Sequence, residues 1–376
     1  MSKLPHVGTT IFSVMSKLAL EHQAINLAQG FPNFPVDEAL LKIYQEKLKQ
    51  DVHQYAPMPG NTQLLNEISK MIDQSYGRKL NPNDEVLVTA GATEAIYAAI
   101  QAFVGTGDEV VVLDPAYDCY DPSIVLAGGK AIHVPLKNDF SVDWDLLRKH
   151  LHENSKMLII NNPHNPSGQI LFEKDLEALH QLMKDFPKLI LLSDEVYEFI
   201  TFEKKHLSVN LYPSLLDRSI IVSSFGKTFH ITGWKMGYLV APETLMREIK
   251  KVHQFLVFSV NSVAQSVLSE YLPTVDPTQL SAYYQEKRDL FRSLLASSKF
   301  KLLPCEGSYF QVVDYSGLSD MPDVEFVREL TITYGVAAIP LSVFHEDGKD
   351  LKLIRFCFAK DDETLIKACE KLCKIH

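Results

Sequence analysis

The feature that most constrains the fold of this chain is a regular alternation of short β-rich runs with helical-looking segments, which begins near residue 85. The β-rich runs lie at 86–88, 110–113, 131–134, 157–160, 189–192, 220–222 and 238–240. This alternation is typical of a mainly parallel sheet with helices on both faces. The ligand site of such a sheet lies beyond the carboxyl ends of its strands. We therefore predict an α/β fold with a mainly parallel seven-stranded sheet and a functional site at that edge.

The chain has 376 residues, which is more than one hydrophobic core usually serves, so we expect two domains. After about residue 280 a long polar helix leads into mixed strands and helices, which indicates a small α+β domain. The run at 25–35 has the character of a rigid connector that ends in proline. We place an N-terminal segment that packs with the small domain at 1–40, the large domain at 41–280 and the small C-terminal domain at 281–376.

Charge and hydropathy narrow the classes of partner. The net charge of −10 argues against nucleic acid, whose binding requires a basic surface. The chain contains no run of roughly 18 apolar residues, the length that a membrane helix needs, and its first residues have no apolar core of signal-peptide length. We therefore expect a cytoplasmic protein with neither a nucleic-acid nor a membrane partner.

The cysteines do not predict a metal site or a disulfide framework. They are five in number and scattered: Cys119, Cys305, Cys357, Cys369 and Cys373. None of their spacings is that of a zinc site. Cys369 and Cys373 lie four apart on a predicted helix, where buried small apolar residues are far commoner than metal ligands. We predict that no metal is bound.

Reactive side chains follow two neighbouring β-rich runs. After 220–222 the chain continues Ser223-Ser224-Phe225-Gly226-Lys227, and a lysine held at that point can form a Schiff base. After 189–192 it continues Ser193-Asp194-Glu195-Val196-Tyr197, which supplies a carboxylate and a phenol. Pyridoxal phosphate needs an amine to carry its aldehyde and an acid to keep its pyridine nitrogen protonated. The two strand ends therefore predict a site for this cofactor.

A phosphate cradle is predicted at the first strand-to-helix turn. Gly91, Ala92 and Thr93 start a helix that runs to about residue 103, and the free amides and dipole of a helix start favour a phosphate. Ser224 and Lys235 can add a hydroxyl and a cation. Alone, the Gly-Ala-Thr turn would more often be a plain helix cap.

Simpler readings exist for each residue alone. Asp194 could cap a helix, Asn165 could be a turn residue, and Tyr197 could belong to the core. The alternatives based on Gly226-Lys227-Thr228 are weak, because the P-loop glycine is missing at residue 221 and the partner motifs of Ser-x-x-Lys acylases are absent. The succession of these groups at consecutive strand ends favours the cofactor site.

The chain resembles the class I pyridoxal-phosphate aminotransferases of fold type I, and within them the methionine, kynurenine and glutamine aminotransferases. The resemblance extends from about residue 4 to the C-terminus. Its motifs are Asn26-Leu27-Ala28-Gln29-Gly30-Phe31-Pro32, Gln54-Tyr55-Ala56-Pro57-Met58-Pro59-Gly60, Asn165-Pro166-Ser167-Gly168, Ser193-Asp194-Glu195-Val196-Tyr197, Ser224-Phe225-Gly226-Lys227-Thr228 and Ile354-Arg355-Phe356.

The resemblance implies a role for each matching residue. Lys227 would carry the cofactor and move the substrate proton, Asp194 would pair with the pyridine nitrogen, and Tyr197 would bind the phenolic oxygen. The implied cofactor-binding residues are Tyr55, Gly91, Ala92, Thr93, Tyr117, Asn165, Asp194, Tyr197, Ser224, Lys227 and Lys235. The implied substrate-binding residues are Phe12, Gly30, Asn165, Phe258 and Arg355, with Arg355 on the α-carboxylate. Tyr55 would reach the neighbouring subunit's phosphate, which implies a homodimer with shared sites.

The side-chain pocket is predicted to be apolar. Relatives that act on dicarboxylates use a second arginine, whereas this chain has none between Arg247 and Arg288 and carries Phe-Leu-Val-Phe at 255–258. The expected reaction therefore transfers the amino group of methionine, or another large apolar or aromatic L-amino acid, to a 2-oxo acid. The alternatives are cysteine-S-conjugate β-lyase and kynurenine or glutamine aminotransferase activity. A regulator that binds pyridoxal phosphate would need a DNA-binding domain, for which the sequence leaves no room.

Overall fold

The computed structural model describes residues 2–5 and 7–376. The helices are α1 Ile11–Glu21, α2 Glu38–Lys47, α3 Thr62–Tyr76, α4 Pro82–Glu85, α5 Ala92–Phe103, α6 Tyr120–Ala127, α7 Trp144–His150, α8 Glu173–Asp185, α9 Pro213–Leu216, α10 Phe225–Thr228, α11 Glu243–Leu256, α12 Ser262–Tyr271, α13 Leu280–Leu295, α14 Asp323–Ile332 and α15 Asp362–Leu372. The strands are β1 Ile25–Asn26, β2 Val86–Thr89, β3 Glu109–Asp114, β4 Lys130–Pro135, β5 Ser155–Asn161, β6 Ile190–Asp194, β7 Ser219–Ser224, β8 Gly237–Val240, β9 Lys301–Leu302, β10 Phe310–Asp314, β11 Val336–Ala337, β12 Ile339–Pro340 and β13 Leu353–Cys357.

A seven-stranded sheet forms the centre of the molecule, in the order β2-β8-β7-β6-β5-β3-β4. Each of the seven predicted β-rich runs forms one of its strands, within two residues at either end. Neighbouring strands from β7 to β4 run parallel, whereas β8 runs antiparallel to both β2 and β7. The predicted mainly parallel sheet is therefore confirmed, with one reversed strand inserted.

Most strands of the central sheet have an apolar middle part because both faces of the sheet are covered. Successive side chains of a strand point to opposite faces. Accordingly, Val86 and Val88 of β2 pack in a core with α3, α8 and α12, whereas Leu87 packs in a separate core with α5 and α11. Ile221 of β7 joins the first core, and Ile220 joins the second. Burial on both faces explains the near-continuous apolar runs in the sequence.

The direction of the strands gathers polar residues at one edge of the sheet. The carboxyl ends of β2, β5, β6 and β7 meet there, and the start of the reversed strand β8 lies at the same edge. Asn161 of β5 lies opposite Asp194 of β6, and Ser224 of β7 lies opposite Gly237 of β8. The fold thus brings the predicted functional segments to one place.

The C-terminal elements form a second sheet in the order β12-β13-β10-β9, in which neighbours are antiparallel. The N-terminal strand β1 pairs with β11, with Ile25 opposite Val336. Met15 and Ala19 of α1 are buried in the core that these C-terminal elements build. The limits of the domains at residues 40 and 280 stay predictions from the sequence.

Candidate active site

A cavity of about 270 Å³ lies at the carboxyl edge of the seven-stranded sheet, facing the C-terminal sheet. Most of the residues predicted to form a site line it: Phe12, Gly30, Gly91, Ala92, Thr93, Tyr117, Asn165, Asp194, Tyr197, Ser224, Lys227, Lys235 and Arg355. They come from both ends of the chain and from the loops and helix starts at this edge of the sheet. Their convergence gives one concave site with two amines, a carboxylate, a guanidinium and two phenols.

Lys227 projects from the short helix α10, which directly follows β7. Its Nζ donates hydrogen bonds to the carbonyl oxygen of Gly30 at 3.0 Å and to the hydroxyl of Tyr309 at 2.9 Å. The Tyr309 hydroxyl itself donates to the same Gly30 oxygen at 2.6 Å. Burial lowers the pKa of Lys227 to about 8. A substantial fraction of this amine is therefore neutral near pH 8, the form that attacks an aldehyde.

Asp194 is the last residue of β6, and its side chain is buried at the floor of the cavity. Its Oδ2 accepts a hydrogen bond from the hydroxyl of Tyr120 at 2.6 Å, and its Oδ1 accepts one from the Val196 amide at 3.4 Å. Burial raises the pKa of Asp194 to about 6. A buried carboxylate without a salt-bridge partner among the described residues favours a ligand that brings a protonated nitrogen.

The start of α5 offers free backbone amides to an anion. Gly91 precedes the helix with a φ of +77°, and within the described residues no side chain caps its first turn. A Cβ atom at Gly91 would lie 3.3 Å from Nζ of Lys235, so the amine stands directly over this turn. The hydroxyl-bearing residues Thr93 and Ser224 line the same part of the cavity. Amides, hydroxyls and a cation together fit a phosphate group.

A close approach of two backbones fixes the shape of this cradle. A Cβ atom at Gly237, the first residue of β8, would lie 2.9 Å from the Ala92 amide nitrogen and 2.9 Å from the Ser223 carbonyl oxygen. Only glycine allows such contacts without a shift of the backbone. The start of the reversed strand β8 therefore lies between the first amides of α5 and the end of β7, in direct contact with both.

Arg355 of β13 reaches the cavity from the C-terminal sheet and is 1% exposed. Its Nη1 donates to Oδ1 of Asn165 at 2.5 Å, and its Nη2 donates to the carbonyl oxygen of Ala28 at 3.3 Å. Its Nε has no hydrogen-bond partner among the described residues. The guanidinium lies 3.8 Å from the ring centre of Phe310. A buried arginine without a carboxylate partner in the described chain is suited to bind the carboxylate of a ligand.

Two tyrosines complete the walls of the cavity. Burial raises the pKa of both Tyr117 and Tyr197 above the ordinary range of a phenol. Each hydroxyl therefore stays protonated at neutral pH and can donate a hydrogen bond. Tyr197 follows Asp194 by three residues, and its ring contacts that of Tyr309 edge to face at 5.1 Å.

The remaining lining is largely apolar: Phe12, Phe31, Ile96, Val196, Met236 and Phe310. Phe12 of α1 packs near Phe344, with ring centres 6.0 Å apart. Within the described part of the chain, Arg355 is the only arginine that lines the cavity. A second carboxylate on a ligand would thus lack an arginine partner within this chain.

Tyr55 and Phe258 lie outside the cavity of their own chain. Tyr55 is 81% exposed and Phe258 is 48% exposed, and their rings pack edge to face at 5.3 Å. The expectation that Phe258 contacts substrate therefore has no support within a single chain. The fold turns the segment 255–258 to the surface at the end of α11, where sequence alone suggested a pocket wall.

Three residues that contact the predicted site residues were not predicted from the sequence: Tyr120, Tyr309 and Phe310. Tyr120 bonds to Asp194, Tyr309 to Lys227, and Phe310 stacks on Arg355. The only local signal was the position of Tyr120 after the strand end at Asp114, in the same loop as Tyr117. Tyr309 lies 82 residues after Lys227, and no spacing in the sequence links the two.

Other kinds of site do not emerge from the described residues. In residues 2–5 and 7–376, no group of three or more histidine, cysteine or acidic side chains is arranged to hold a metal ion. No helix in this same portion has the length and apolar character required to traverse a membrane.

Comparison with known proteins identifies the relatives of this chain. A family model described as "Aminotransferase class I and II" matches residues 22–372. The methionine aminotransferase of Escherichia coli K12 is 47% identical over 375 residues, which cover 99% of this chain and 97% of that protein. The kynurenine–oxoglutarate transaminase of Dictyostelium discoideum is 33% identical over 98% of this chain and 94% of its own length.

Solved structures agree with this relationship. The crystal structure of the Escherichia coli protein YbdL, whose reactivity identifies a methionine aminotransferase function, superposes with a TM-score of 0.97 at 47% identity. The superposition covers 100% of this chain and 99% of that one. The fold of the two chains is therefore the same throughout.

Proposed function

The chain belongs to the class I and II aminotransferases of fold type I, which use pyridoxal 5′-phosphate, and we propose that its amino donor is L-methionine or another large apolar or aromatic L-amino acid. The amino group passes to a 2-oxo acid. The observation that carries the proposal is that one buried arginine, Arg355, shares the lining with Phe12, Phe31, Ile96, Val196, Met236 and Phe310, and that no second arginine lines it among the described residues. Burying a second carboxylate there without a cation would be costly. The 47% identity to a methionine aminotransferase supports the same donor.

The residues of the cavity are assigned to the cofactor by their chemistry. When bound, pyridoxal phosphate accepts the electron pair left behind when a proton leaves the Cα of the substrate. Lys227 would hold the aldehyde carbon of the cofactor, and its neutral amine would move the substrate proton between Cα and C4′. Asp194 would keep the ring nitrogen protonated. The lowered pKa of Lys227, about 8, supports its service as a base near neutral pH.

The other contacts orient the two ligands. Tyr197 and Asn165 would donate to the phenolic oxygen of the ring, and Tyr117 would stack on it. The cradle of Gly91, Ala92, Thr93, Ser224 and Lys235 would bind the phosphate. Arg355, held by Asn165, binds the α-carboxylate of the substrate as a bidentate pair, with the backbone of Gly30 beside it. Phe12 contacts the side chain of the donor.

We further propose a homodimer in which Tyr55 and Phe258 serve the partner's site. Four exposed apolar side chains lie close together in sequence or in space: Tyr55, Phe255, Leu256 and Phe258. Of these, Phe255 is 86% exposed. A concentration of exposed aromatic side chains is typical of a protein interface. The five cysteines are all free thiols, which supports a reducing compartment such as the cytoplasm.

A panel of amino donors against one 2-oxo acid tests the donor class. Methionine, phenylalanine and kynurenine are compared with aspartate at equal enzyme concentration, and kcat/KM is measured for each. We expect the three apolar or aromatic donors to exceed aspartate by about tenfold or more, because an unpaired buried carboxylate costs more than about 1.4 kcal/mol. A larger kcat/KM for aspartate would refute the apolar pocket.

The alternatives receive less support. A cysteine-S-conjugate β-lyase would release pyruvate from a donor with a good leaving group on Cβ, and none of the relatives described above is named for that reaction. A regulator is disfavoured, because an enzyme matches 99% of this chain. A cysteine S-conjugate added to the same donor panel separates the two reactions, because β-elimination releases pyruvate from it and transamination does not.

A further inference from the structure

Tyr120 is a buried phenol directed at the carboxylate of the site. It is the first residue of α6, is 2% exposed, and donates a hydrogen bond to Oδ2 of Asp194 at 2.6 Å. Asp194 is 3% exposed. The two residues are 74 positions apart in the sequence, so the contact is made by the tertiary fold.

The geometry leaves the other carboxylate oxygen available. Oδ1 of Asp194 accepts a single long bond, from the Val196 amide at 3.4 Å, among the described residues. An ionised carboxylate accepts up to about four hydrogen bonds through its two oxygens. Oδ1 can therefore accept the N–H of the pyridine ring while Oδ2 stays bonded to Tyr120.

The phenol is a donor under working conditions. Burial and the neighbouring Asp194 raise the pKa of Tyr120 well above its ordinary value, so the hydroxyl keeps its proton. The same hydrogen bond opposes the effect of burial on the pKa of Asp194. Without this hydrogen bond, the carboxylate of Asp194 would be a stronger base in the same buried environment.

We propose that Tyr120 is a positioning residue that keeps Asp194 ionised and oriented, so that the proton of the pair stays on the ring nitrogen of the cofactor. The inference rests on the role proposed above for Asp194. Removal of the phenol makes Asp194 compete more strongly for that proton. The ring then carries less positive charge, accepts electrons less readily and is bound less tightly.

Two measurements report on this charge without turnover. The first is the dissociation constant of pyridoxal phosphate from the apoprotein. The second is the pKa of the visible absorbance of the lysine-bound cofactor, which a positive ring nitrogen lowers because like charges disfavour each other. The other ionisable groups that act on Asp194 are Glu195, Lys227, Tyr117, Cys119 and Tyr197, and all of them remain in the variants below.

The test variant is Tyr120→Phe, and the matched control is Tyr238→Phe. Tyr238 is also buried, and its hydroxyl donates to a buried carboxylate, that of Glu198, at 2.8 Å. We expect Tyr120→Phe to weaken cofactor binding about tenfold and to raise the spectral pKa by about one unit, since bonds to charged groups have that size. Tyr238→Phe is expected to lower thermal stability while leaving both values at wild type.

A replacement that keeps the shape of the side chain but strengthens its hydrogen bond should shift the spectral pKa in the opposite direction. 3-Fluorotyrosine in place of Tyr120 is a stronger donor with nearly the same volume. It should lower the spectral pKa relative to the wild type. A shift upward, or no shift in either Tyr120 protein, overturns the inference even where Tyr120→Phe folds poorly.

A double-mutant cycle with Asp194→Asn tests whether Tyr120 acts through the carboxylate. In the Asp194→Asn background, Tyr120→Phe should change neither the cofactor affinity nor the spectral pKa further. Equal effects in both backgrounds would overturn the inference while leaving the role of Asp194 intact. If Asp194→Asn alone matches the wild type in both measurements, the role proposed for Asp194 fails, and the inference fails with it.

Discussion

Arg355 and Asn165 are joined by a hydrogen bond of 2.5 Å from Nη1 to Oδ1, across 190 residues of sequence. The bond links β13 of the C-terminal sheet to the loop that follows β5 of the central sheet. Arg355, the proposed ligand of the substrate carboxylate, is thus bonded to Asn165, a proposed ligand of the cofactor. This one hydrogen bond therefore orients both the substrate-binding and the cofactor-binding side chain.

Arg355→Lys should weaken substrate binding while leaving the cofactor in place. A lysine cannot form the bidentate pair with a carboxylate or keep the stacking on Phe310. We expect kcat/KM for methionine to fall about 10- to 100-fold, since a hydrogen bond to a charged group contributes about 1.5–3 kcal/mol. Arg328→Lys, on the exposed face of α14, is the control. An unchanged KM in the first variant would exclude Arg355 as the carboxylate-binding residue.

Lys227→Ala should abolish transamination and the visible absorbance of the lysine-bound cofactor. The variant lacks both the covalent attachment and the base. The fold should persist, because the substitution removes a half-buried side chain whose hydrogen bonds are with the cavity-wall groups of Gly30 and Tyr309. Circular dichroism checks the fold, and a spectrum that still shifts on adding methionine would argue against this lysine.

Lys235→Met should weaken the binding of pyridoxal phosphate but not that of pyridoxal, which lacks the phosphate. Loss of one charge-assisted bond is expected to raise the dissociation constant about tenfold or more. The comparison of the two ligands is the internal control. Equal losses for both would place Lys235 away from the phosphate.

The attachment of the cofactor to the apoprotein should depend on pH through Lys227. Burial places its folded-state pKa near 8, below the ordinary value for lysine, so the reactive neutral amine is lost as the pH falls below about 8. The rate of appearance of the visible band should therefore rise between about pH 7 and 8.5 and then level off. A rate that continues to rise up to pH 10 would show an unshifted lysine.

A mixed dimer tests the shared site. One subunit carries Tyr55→Phe, and the other carries Lys227→Ala; two different tags allow the mixed species to be purified. If Tyr55 serves the partner's site, one site holds both lesions and the other holds none. Partial activity and tight cofactor binding should return relative to either parent homodimer. Cofactor retention no better than that of the Tyr55→Phe homodimer would place Tyr55 in its own site or in none.

Local patterns predicted the central sheet and the cavity residues at its strand ends, whereas the resemblance to the family supplied Phe12, Gly30, Tyr117 and Arg355. An apolar run followed by Asp194 or by Ser224 and Lys227 marks a strand end, and parallel strands bring their ends together. The contacts of Tyr120 with Asp194 and of Tyr309 with Lys227 were not predicted, since they depend on how helices and the two sheets pack. Phe258 lies outside the cavity of its own chain, because the sequence does not tell which way the end of a helix turns, and its contact with substrate stays a prediction that depends on the partner subunit.

Contacts between distant parts of the chain have a consequence for synthesis on the ribosome. The strand β1 pairs with β11, and Arg355 donates a hydrogen bond to Ala28. Arg355 and Ala28 are separated by 327 residues. The segment around Ala28 and Gly30 leaves the ribosome early but finds its partners only when almost the whole chain has emerged. We expect the cofactor-binding half of the site to form first and the carboxylate-binding half last, so that a nascent chain holding the cofactor cannot yet select an amino acid.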